Sequence, residues 1–346
     1  MMKRMSNQFF LYSLTSLAVT ASSLAYAQED AQAPSLEGGI TASIGTFYAA
    51  PTGGNQDYAQ VLVNTDDFDT FRNTQIAEVT PDYDFGFAAS LGYVFEDTAN
   101  SVELSYRGFD SDDNNDSVEF IDEVYAPVFN DFYDIATSSL SYQFNAVDLM
   151  FNQFLDIGTH VQVRFAAGAS YVNLEKNQTN TYFFDVISEG GDDYDQVKNH
   201  SEFDGFGPRA GIDGRYDFGE NLEGFGIVAG GSLAYYVGDM DVTSAITCFD
   251  MDDTSCSDTG TFIATNTDDV DNHGVTNLRA NVGIDYVYFF ENEESTLGIE
   301  LGYLIDYYAD AISDITYQDG FEDKIFNTEL NSFSYSGPYV NLKGVF

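Results

Sequence analysis

The chain has 346 residues, a formal net charge of -45 and a hydrophobic content of 44%. Its 30 Phe, 24 Tyr and 30 Gly argue against disorder, because so many aromatic side chains can bury a large surface. A chain this acidic has no attraction for phosphate backbones, so we expect no nucleic-acid partner.

The first 27 residues have the layout of a secretory signal peptide. Two basic residues precede an apolar stretch at about 9–19, and residues 25–27 form an A-x-A cleavage site. The apolar stretch is too short to span a bilayer as a helix. We therefore expect cleavage after residue 27, a short periplasmic leader at 28–35 and a mature protein outside the cytoplasm of a Gram-negative cell.

The mature chain has segments in which apolar and polar residues alternate. In 82–95, "DYDFGFAASLGYVF", every second residue from Tyr83 to Phe95 is apolar, and the alternate residues from Asp84 to Gly92 are small or polar. This period of two predicts a strand with one apolar face and one polar face. The same test predicts ten strands, at 36–48, 82–95, 101–109, 137–155, 160–173, 204–218, 224–237, 276–290, 296–308 and 332–346.

The connections between these segments alternate in length. The short ones are 96–100, 156–159, 219–223 and 291–295, and the long ones are 49–81, 110–136, 174–203, 238–275 and 309–331. Outer-membrane barrels have short periplasmic turns, long external loops and an even number of strands. The sequence therefore predicts an all-β protein, an antiparallel transmembrane β-barrel of about ten strands at 36–346, with long acidic extracellular loops.

The segment 137–155 is ambiguous, because its apolar residues change parity midway. A β-bulge near Asn145 would restore the face, whereas two separate strands would raise the total to twelve. We favour the bulge, because two strands would place a long loop on the periplasmic side.

Two cysteines, Cys248 and Cys256, lie close together in the polar stretch "CFDMDDTSC". No other thiol or imidazole lies beside them, so a metal site is not expected. In an oxidising compartment this spacing predicts a disulfide that closes a loop.

The last strand ends on a bare aromatic residue. Val340, Leu342 and Phe346 share one parity, whereas Asn341 and Lys343 share the other. In a closed barrel the last strand pairs with the first, so we expect this end to be fixed by the ladder. The alternating apolar residues ending in Phe346 are similar to the signal read by the outer-membrane assembly machinery, which is an expected partner. Trp is absent, so Tyr and Phe must supply both interfacial girdles.

Two stretches of the chain are distinctive. Residues 203–218 read "FDGFGPRAGIDGRYDF", followed after a few residues by "GFGIVAGGSLAYYVGD", and 145–171 read "NAVDLMFNQFLDIGTHVQVRFAAGASY". They resemble the Legionella major outer membrane protein family, a group of pore-forming outer-membrane proteins, over most of the mature chain. This resemblance implies a porin-like channel. The high acidity and the lack of Trp depart from the family pattern and concern selectivity more than fold.

Charged residues within the strands share the polar parity. They are Glu103, Arg107, Arg164, Arg209, Asp213, Arg215, Arg279, Asp285, Glu300 and Asp306. An Arg facing lipid near the midplane costs about 2–4 kcal/mol, so these side chains are expected to line the lumen. They form either a charged constriction or an ion-pair ladder that fills a narrow barrel. With 291–294 as the hairpin loop, Arg279 faces Asp306 and Asp285 faces Glu300.

The predicted loops carry most of the acid. The carboxylates expected around the external mouth include Asp112, Asp113, Asp192, Asp193, Asp252, Asp253, Asp268 and Asp269. A calcium-loop pattern that begins at Asp110 fails, because Asn115 occupies the glycine position and Ile121 the bidentate position. We therefore predict no metal site and interpret the acid as a solvated surface, with divalent bridging to lipopolysaccharide as the alternative.

Three histidines remain, His160 at a periplasmic turn and His200 and His273 in external loops. No spacing places a nucleophile, an acid pair or an oxyanion site beside them, so no enzyme is predicted. We predict a passive, weakly cation-favouring outer-membrane channel for small ions or solutes, surrounded by lipid and lipopolysaccharide and without a cofactor. The alternatives are a plugged structural or adhesive barrel and a barrel protease. The sequence leaves the oligomeric state open.

Overall fold

The computed structural model describes residues 31–54, 56–63, 73–114, 118–126, 128–129, 131–183, 194–219, 224–249, 261–290, 295–318 and 325–346. The strands are β1 (Ala31–Gln32), β2 (Gly39–Gly53), β3 (Asp57–Val63), β4 (Asn73–Glu78), β5 (Asp84–Val94), β6 (Asn100–Asn114), β7 (Val118–Ala126), β8 (Asp131–Ile157), β9 (Val161–Phe183), β10 (Tyr194–Asp217), β11 (Gly224–Phe249), β12 (Thr261–Phe289), β13 (Thr296–Gln318) and β14 (Ile325–Val345). In this part of the chain, no helix is long and apolar enough to cross a membrane. The predicted signal peptide lies outside the described residues.

The ten long strands close into one antiparallel ring. The order around the wall is β2–β5–β6–β8–β9–β10–β11–β12–β13–β14, and β14 returns to β2. This last pairing runs from Val345 opposite Thr41 to Phe333 opposite Gly53. The ring confirms the predicted ten-stranded barrel, in which closure leaves no free edge among the ten wall strands.

The strands end beside the predicted short turns, but at their other ends they run far into the predicted long loops. For example, β9 was expected to end at residue 173 and continues to Phe183, and β11 continues twelve residues past the predicted end at 237. Three short strands, β3, β4 and β7, add to the same end of the wall, where β7 pairs with β8 beyond the end of β6. The barrel is therefore longer than the membrane is thick, because a spanning strand needs only about 9–11 residues.

A band of apolar side chains covers the outside of the barrel next to the short turns. On β13 it extends from Leu297 to Tyr307, about the length of a spanning strand. Aromatic residues flank it at the periplasmic edge (Tyr93, Phe95, Tyr216, Phe218, Tyr288, Phe290) and at the extracellular edge (Tyr48, Tyr106, Tyr171, Tyr235, Tyr307). Tyr and Phe thus form both girdles in a chain without Trp.

Where the strands leave the membrane band, the apolar side chains switch from the outer face of the wall to the inner face. In β8 the outward residues are Val147, Leu149 and Phe151, and the residues buried inside are Leu140, Tyr142 and Phe144. The ladders of β8 with β6 and β9 continue through Asn145 without a register shift. The predicted bulge is therefore wrong, and so is the alternative of two strands. The parity changes because the barrel interior is polar within the membrane and apolar beyond it.

β12 and β13 pair in the predicted register. Arg279 is opposite Asp306, and Asp285 is opposite Glu300. All four side chains therefore lie on the inner face of the wall. The predicted register is confirmed.

The segment before the first wall strand is fixed to the periplasmic rim. Ala31 pairs with Ile157 at the end of β8, and the Leu36 N–H donates to the Thr98 carbonyl at 3.0 Å. Residues 31–36 thus lie between the end of β8 and the β5–β6 turn before β2 begins at Gly39.

Candidate functional site

The membrane half of the barrel encloses a cavity of about 800 Å³, which we call the vestibule. Its lining includes Leu36 and Glu37 of the rim segment, Phe289 and Val345 near the turns, and Arg107 at the far end. Because the first four belong to the periplasmic end, the vestibule faces the periplasm. The alternation of the strands produces it, since every second residue of each spanning segment is small or polar.

Ion pairs line the vestibule nearest the periplasm. Arg215 of β10 donates from Nε to Asp285 at 2.7 Å and pairs with Asp217 through Nη1. Glu300 of β13 pairs with Lys343 and accepts a hydrogen bond from Tyr339 Oη at 2.5 Å. The like-charged neighbours Asp285 and Glu300 are therefore each balanced by a cation.

The middle of the vestibule holds a second set of charges. Arg164 of β9 donates from Nε and Nη2 to Asp213 of β10, at 3.0 and 2.8 Å. Its Nη1 is 3.6 Å from Glu103 of β6. These groups are about a third exposed, which matches a water-accessible cavity rather than a packed core.

A buried polar layer closes the vestibule on its extracellular side, and we call it the roof. Arg107 of β6 pairs with Asp306 of β13 across the lumen, and with Asp148 of β8 at 3.3 Å. Arg209 of β10 approaches Asp148 within 3.2 Å and donates to Asn277 at 2.7 Å. Asn277 in turn donates to Asp306, so the roof connects five strands of the wall.

The roof is continuous with an aromatic core that fills the extracellular half. Phe47, Phe109 and Tyr335 stack with ring centroids 5.4–5.9 Å apart. Further buried members are Phe144, Tyr236, Tyr308, Phe333, Leu140, Leu174 and Phe203. Arg107 lies 5.8 Å above the Phe144 ring, a cation–π contact that links roof and core. In the described structure the lumen is therefore filled beyond the roof.

A second buried ion pair lies within this core. Lys176 of β9 donates to Asp314 of β13 at 2.7 Å, and both side chains are almost completely buried. Burial lowers the pKa of the Lys176 ammonium below its ordinary value, although the Asp314 carboxylate raises it. The chain after β2 packs against the same interior, because Tyr182 Oη donates to the Tyr58 carbonyl at 2.5 Å.

Arg279 differs from the other inward arginines. It lines the vestibule directly below the roof, between Asn277 and Asn281 on β12. Its register partner Asp306 is bonded to Arg107 and Asn277 instead. Among the described residues Arg279 forms no hydrogen bond and no ion pair within 4 Å.

The structure places the ten predicted charged residues in the vestibule or in its roof. Sequence reasoning missed Asp148 and Lys343, which carry two of the main ion pairs. Lys343 shares the polar parity of the last strand, and this pattern could have identified it as an inward-facing residue. Asp148 shares parity with Phe144, so the inverted pattern of β8 hid it.

Cys248 and the three histidines lie outside the vestibule lining. Cys256 lies outside the described residues, so its pairing with half-buried Cys248 stays a prediction. His160 contacts Gly219 at a periplasmic turn, His200 lies among exposed polar groups of β9 and β10, and His273 contacts Asp310. No group of three metal-ligating side chains occurs in the ranges that the structure describes.

Comparisons with known proteins agree with an outer-membrane barrel. The family described as Legionella pneumophila major outer membrane protein precursor matches residues 32–346. Among curated proteins, no relative matches the chain.

Similarity to solved structures is low. The outer membrane protease OmpT from Escherichia coli is 10% identical over 89% of this chain and 97% of its own, with a TM-score of 0.41. The Pseudomonas putida toluene transporter TodX is 6% identical, over 89% of each chain, with a TM-score of 0.26. A Pseudomonas aeruginosa FadL homologue is 9% identical, over 89% and 90%, with a TM-score of 0.25. These scores are too low to carry a functional argument, so the assignment rests on the family match. The chain belongs to the Legionella pneumophila major outer membrane protein precursor family and is a β-barrel of the Gram-negative outer membrane.

Proposed function

We propose that this barrel is a narrow, gated outer-membrane channel that favours small cations. The observation that carries the proposal is the vestibule. Its cavity of about 800 Å³ occupies the spanning half of the lumen and is lined by charged groups that water can reach. A barrel built only as a support would gain stability from filling this space with packed side chains. The pore-forming character that the sequence resemblance implies points the same way.

The charge distribution favours cations weakly. Exposed carboxylates such as Asp112, Asp269 and Asp271 lie on the extracellular extensions of the strands. They concentrate cations over about one Debye length, roughly 8 Å at physiological ionic strength. Inside the vestibule most acids are paired with Arg or Lys, so the bias there is small.

The roof and the aromatic core form the gate of the proposed channel. Ions can pass only if these side chains rearrange, because the core beyond the roof is closely packed. Conductance is therefore expected to be much lower than that of a wide porin, and to increase when core side chains are shortened. Outer-membrane lipid, lipopolysaccharide and the assembly machinery are the proposed partners, and no catalytic role is proposed.

Planar-bilayer recording in a salt gradient tests this function. Three proteins are compared: the unaltered chain, the Phe109→Ala/Phe144→Ala variant, and Phe206→Ala, which removes an aromatic ring from the lipid-facing side. We expect small cation-favouring currents from the unaltered protein and from Phe206→Ala, and larger ones from the core variant. Folding is verified separately by heat-modifiable migration on SDS gels. Absence of current from the folded unaltered protein and from the folded core variant would refute the channel.

A structural barrel is the second candidate, and the filled extracellular half favours it. Leu140, Tyr142, Phe144 and Leu174 are all buried in a core continuous with the wall. If the barrel is structural, the buried core is a permanent plug and the vestibule is unfilled space below it. The unaltered protein distinguishes the two candidates, because a permanent plug predicts no current from it. Peptidase assays on the same samples test the barrel-protease alternative.

A further inference from the structure

We propose that Arg279 forms an anion-binding site below the roof, which takes the carboxylate or phosphate group of a small solute from the periplasm. The inference concerns binding and does not require the barrel to conduct ions. It rests on an unpaired guanidinium, an excess of positive charge around it and open space beside it.

The first observation is the state of the guanidinium itself. The inward arginines Arg107, Arg164, Arg209 and Arg215 each contact at least one carboxylate within 4 Å. Arg279 has no such partner among the described residues, although it is only partly exposed. A cation removed from much of its water without a counter-ion costs free energy, and a bound anion recovers part of it.

The second observation is the charge balance at the roof. Three guanidinium groups, those of Arg107, Arg209 and Arg279, are balanced there by the carboxylates of Asp148 and Asp306. Within 4 Å, both carboxylates pair only with Arg107 and Arg209, and Arg279 acts on Asp148 from a longer distance. The Nε atom of Arg107 is also buried and has no hydrogen-bond partner among the described residues. The roof thus has one positive charge in excess.

The third observation is the space in front of Arg279. Its register neighbour on β11 is Ser232, and Gly231 and Gly211 line the same side of the cavity. These small residues leave the space open, and the vestibule is far larger than a phosphate or an acetate. Because the roof closes the lumen above, a ligand reaches Arg279 only from the periplasmic side.

The chemistry of the ligand follows from the donor. A guanidinium offers two parallel N–H groups whose spacing matches the two oxygens of a carboxylate or phosphate. The acids lower in the vestibule do not compete for Arg279, since Asp213, Asp285 and Glu300 are held by their own cations.

Arginine-specific labelling tests the site on the unaltered protein. The folded chain in detergent is treated with phenylglyoxal, and modification of each arginine is measured by peptide mass spectrometry. We expect Arg279 to react faster than Arg107 and Arg209. Sodium phosphate or sodium acetate should protect it, whereas sodium chloride at equal ionic strength should not. Equal reactivity of the three arginines, or equal protection by chloride, would overturn the proposal.

Calorimetric titration with phosphate and with acetate measures binding directly and shows which group is preferred. We expect saturable binding of one anion, with an affinity at least about tenfold weaker in Arg279→Gln. The loss should be smaller in Arg279→Lys, which keeps the charge but lacks the two parallel N–H groups of the guanidinium. Lys198→Gln is the matched control, because Lys198 is exposed on the outside of the barrel beyond the membrane. Heat-modifiable migration shows that each variant is folded. Equal affinity in the unaltered protein and folded Arg279→Gln, or no saturable binding of either anion, would refute the site.

Discussion

Asp306 stands opposite Arg279 in the β12–β13 ladder, yet its carboxylate is bonded to Arg107 of β6, across the lumen. The two partners are 199 residues apart in the sequence. Tyr335 donates a further hydrogen bond to the same carboxylate at 3.0 Å. Asp306 therefore ties distant parts of the wall together, and this choice of partner leaves Arg279 facing the vestibule.

The cross-lumen pair should contribute strongly to stability. Replacing Arg107 with Met leaves Asp306 and much of Asp148 uncompensated in a buried layer, at an expected cost of about 3–5 kcal/mol. Arg164→Met is the matched control, because that pair lies in the water-accessible vestibule and should cost about 1 kcal/mol or less. Guanidinium unfolding in lipid vesicles measures both. Equal losses in the two variants would contradict the buried character of the roof.

The buried pair Lys176–Asp314 should give the extracellular half a defined pH dependence. Because the pKa of Lys176 is lowered in the folded state, the unfolded chain binds more protons between that value and about 10.5. Stability should therefore rise with pH through this window and be lost as pH falls through the folded pKa. Burial also raises the pKa of Tyr182, so the window closes when unfolded tyrosines begin to ionise near about 10.

Unfolding midpoints at several pH values below about 10 check this dependence. The double variant Lys176→Met/Asp314→Leu should flatten the rise and be about as stable as the unaltered chain, since apolar pairs often replace buried ion pairs without loss. Lys198→Gln, which removes an exposed lysine, should keep the rise. A flat profile in the unaltered protein would exclude a lowered Lys176 pKa.

Much of the wall was predictable because it depends on local alternation. A period of two identifies each spanning strand, and a hairpin of known length fixes the register, as for Arg279 and Asp306. Loop lengths were overestimated, because the search for alternating residues assumed that every strand has an apolar outer face. Beyond the membrane the outer face is polar, so the continuing strand from residue 174 to Phe183 was interpreted as a loop.

The roof could not be predicted from local pattern. Which side chain meets which across a lumen depends on the tilt and stagger of the whole ring, and no short segment encodes these. Sequence reasoning placed Arg107 and Asp306 on the inner face but could not pair them. It also missed Asp148, which lies in a strand whose apolar residues change faces.

Cation preference should depend on the extracellular carboxylates. Replacing exposed Asp112 and Asp269 with Asn removes two negative charges from the strand extensions and should shift the reversal potential toward zero in low salt. The shift should fade at high salt, where screening shortens the range of the charges. Glu96→Gln, at an exposed periplasmic turn, is the control and should change the potential less. Anion preference in the unaltered protein would contradict the proposed selectivity.

The end of the chain should matter for assembly more than for the finished barrel. The backbone of Phe346 exchanges two hydrogen bonds with Ile40, at 2.8 and 2.9 Å, which close the β14–β2 seam at its last residue. Its ring is 65% exposed, so Phe346→Ala keeps both bonds and removes only an outward-facing ring. If the ring is part of an assembly signal with Val340 and Leu342, the variant should accumulate less in the outer membrane of cells. Unassisted refolding into detergent should be nearly unchanged.

Phe218→Ala is the matched control, because that ring is 63% exposed in the same periplasmic girdle and is far from the chain end. Equal losses in cells from both variants would mean that Phe346 serves only as an interfacial anchor.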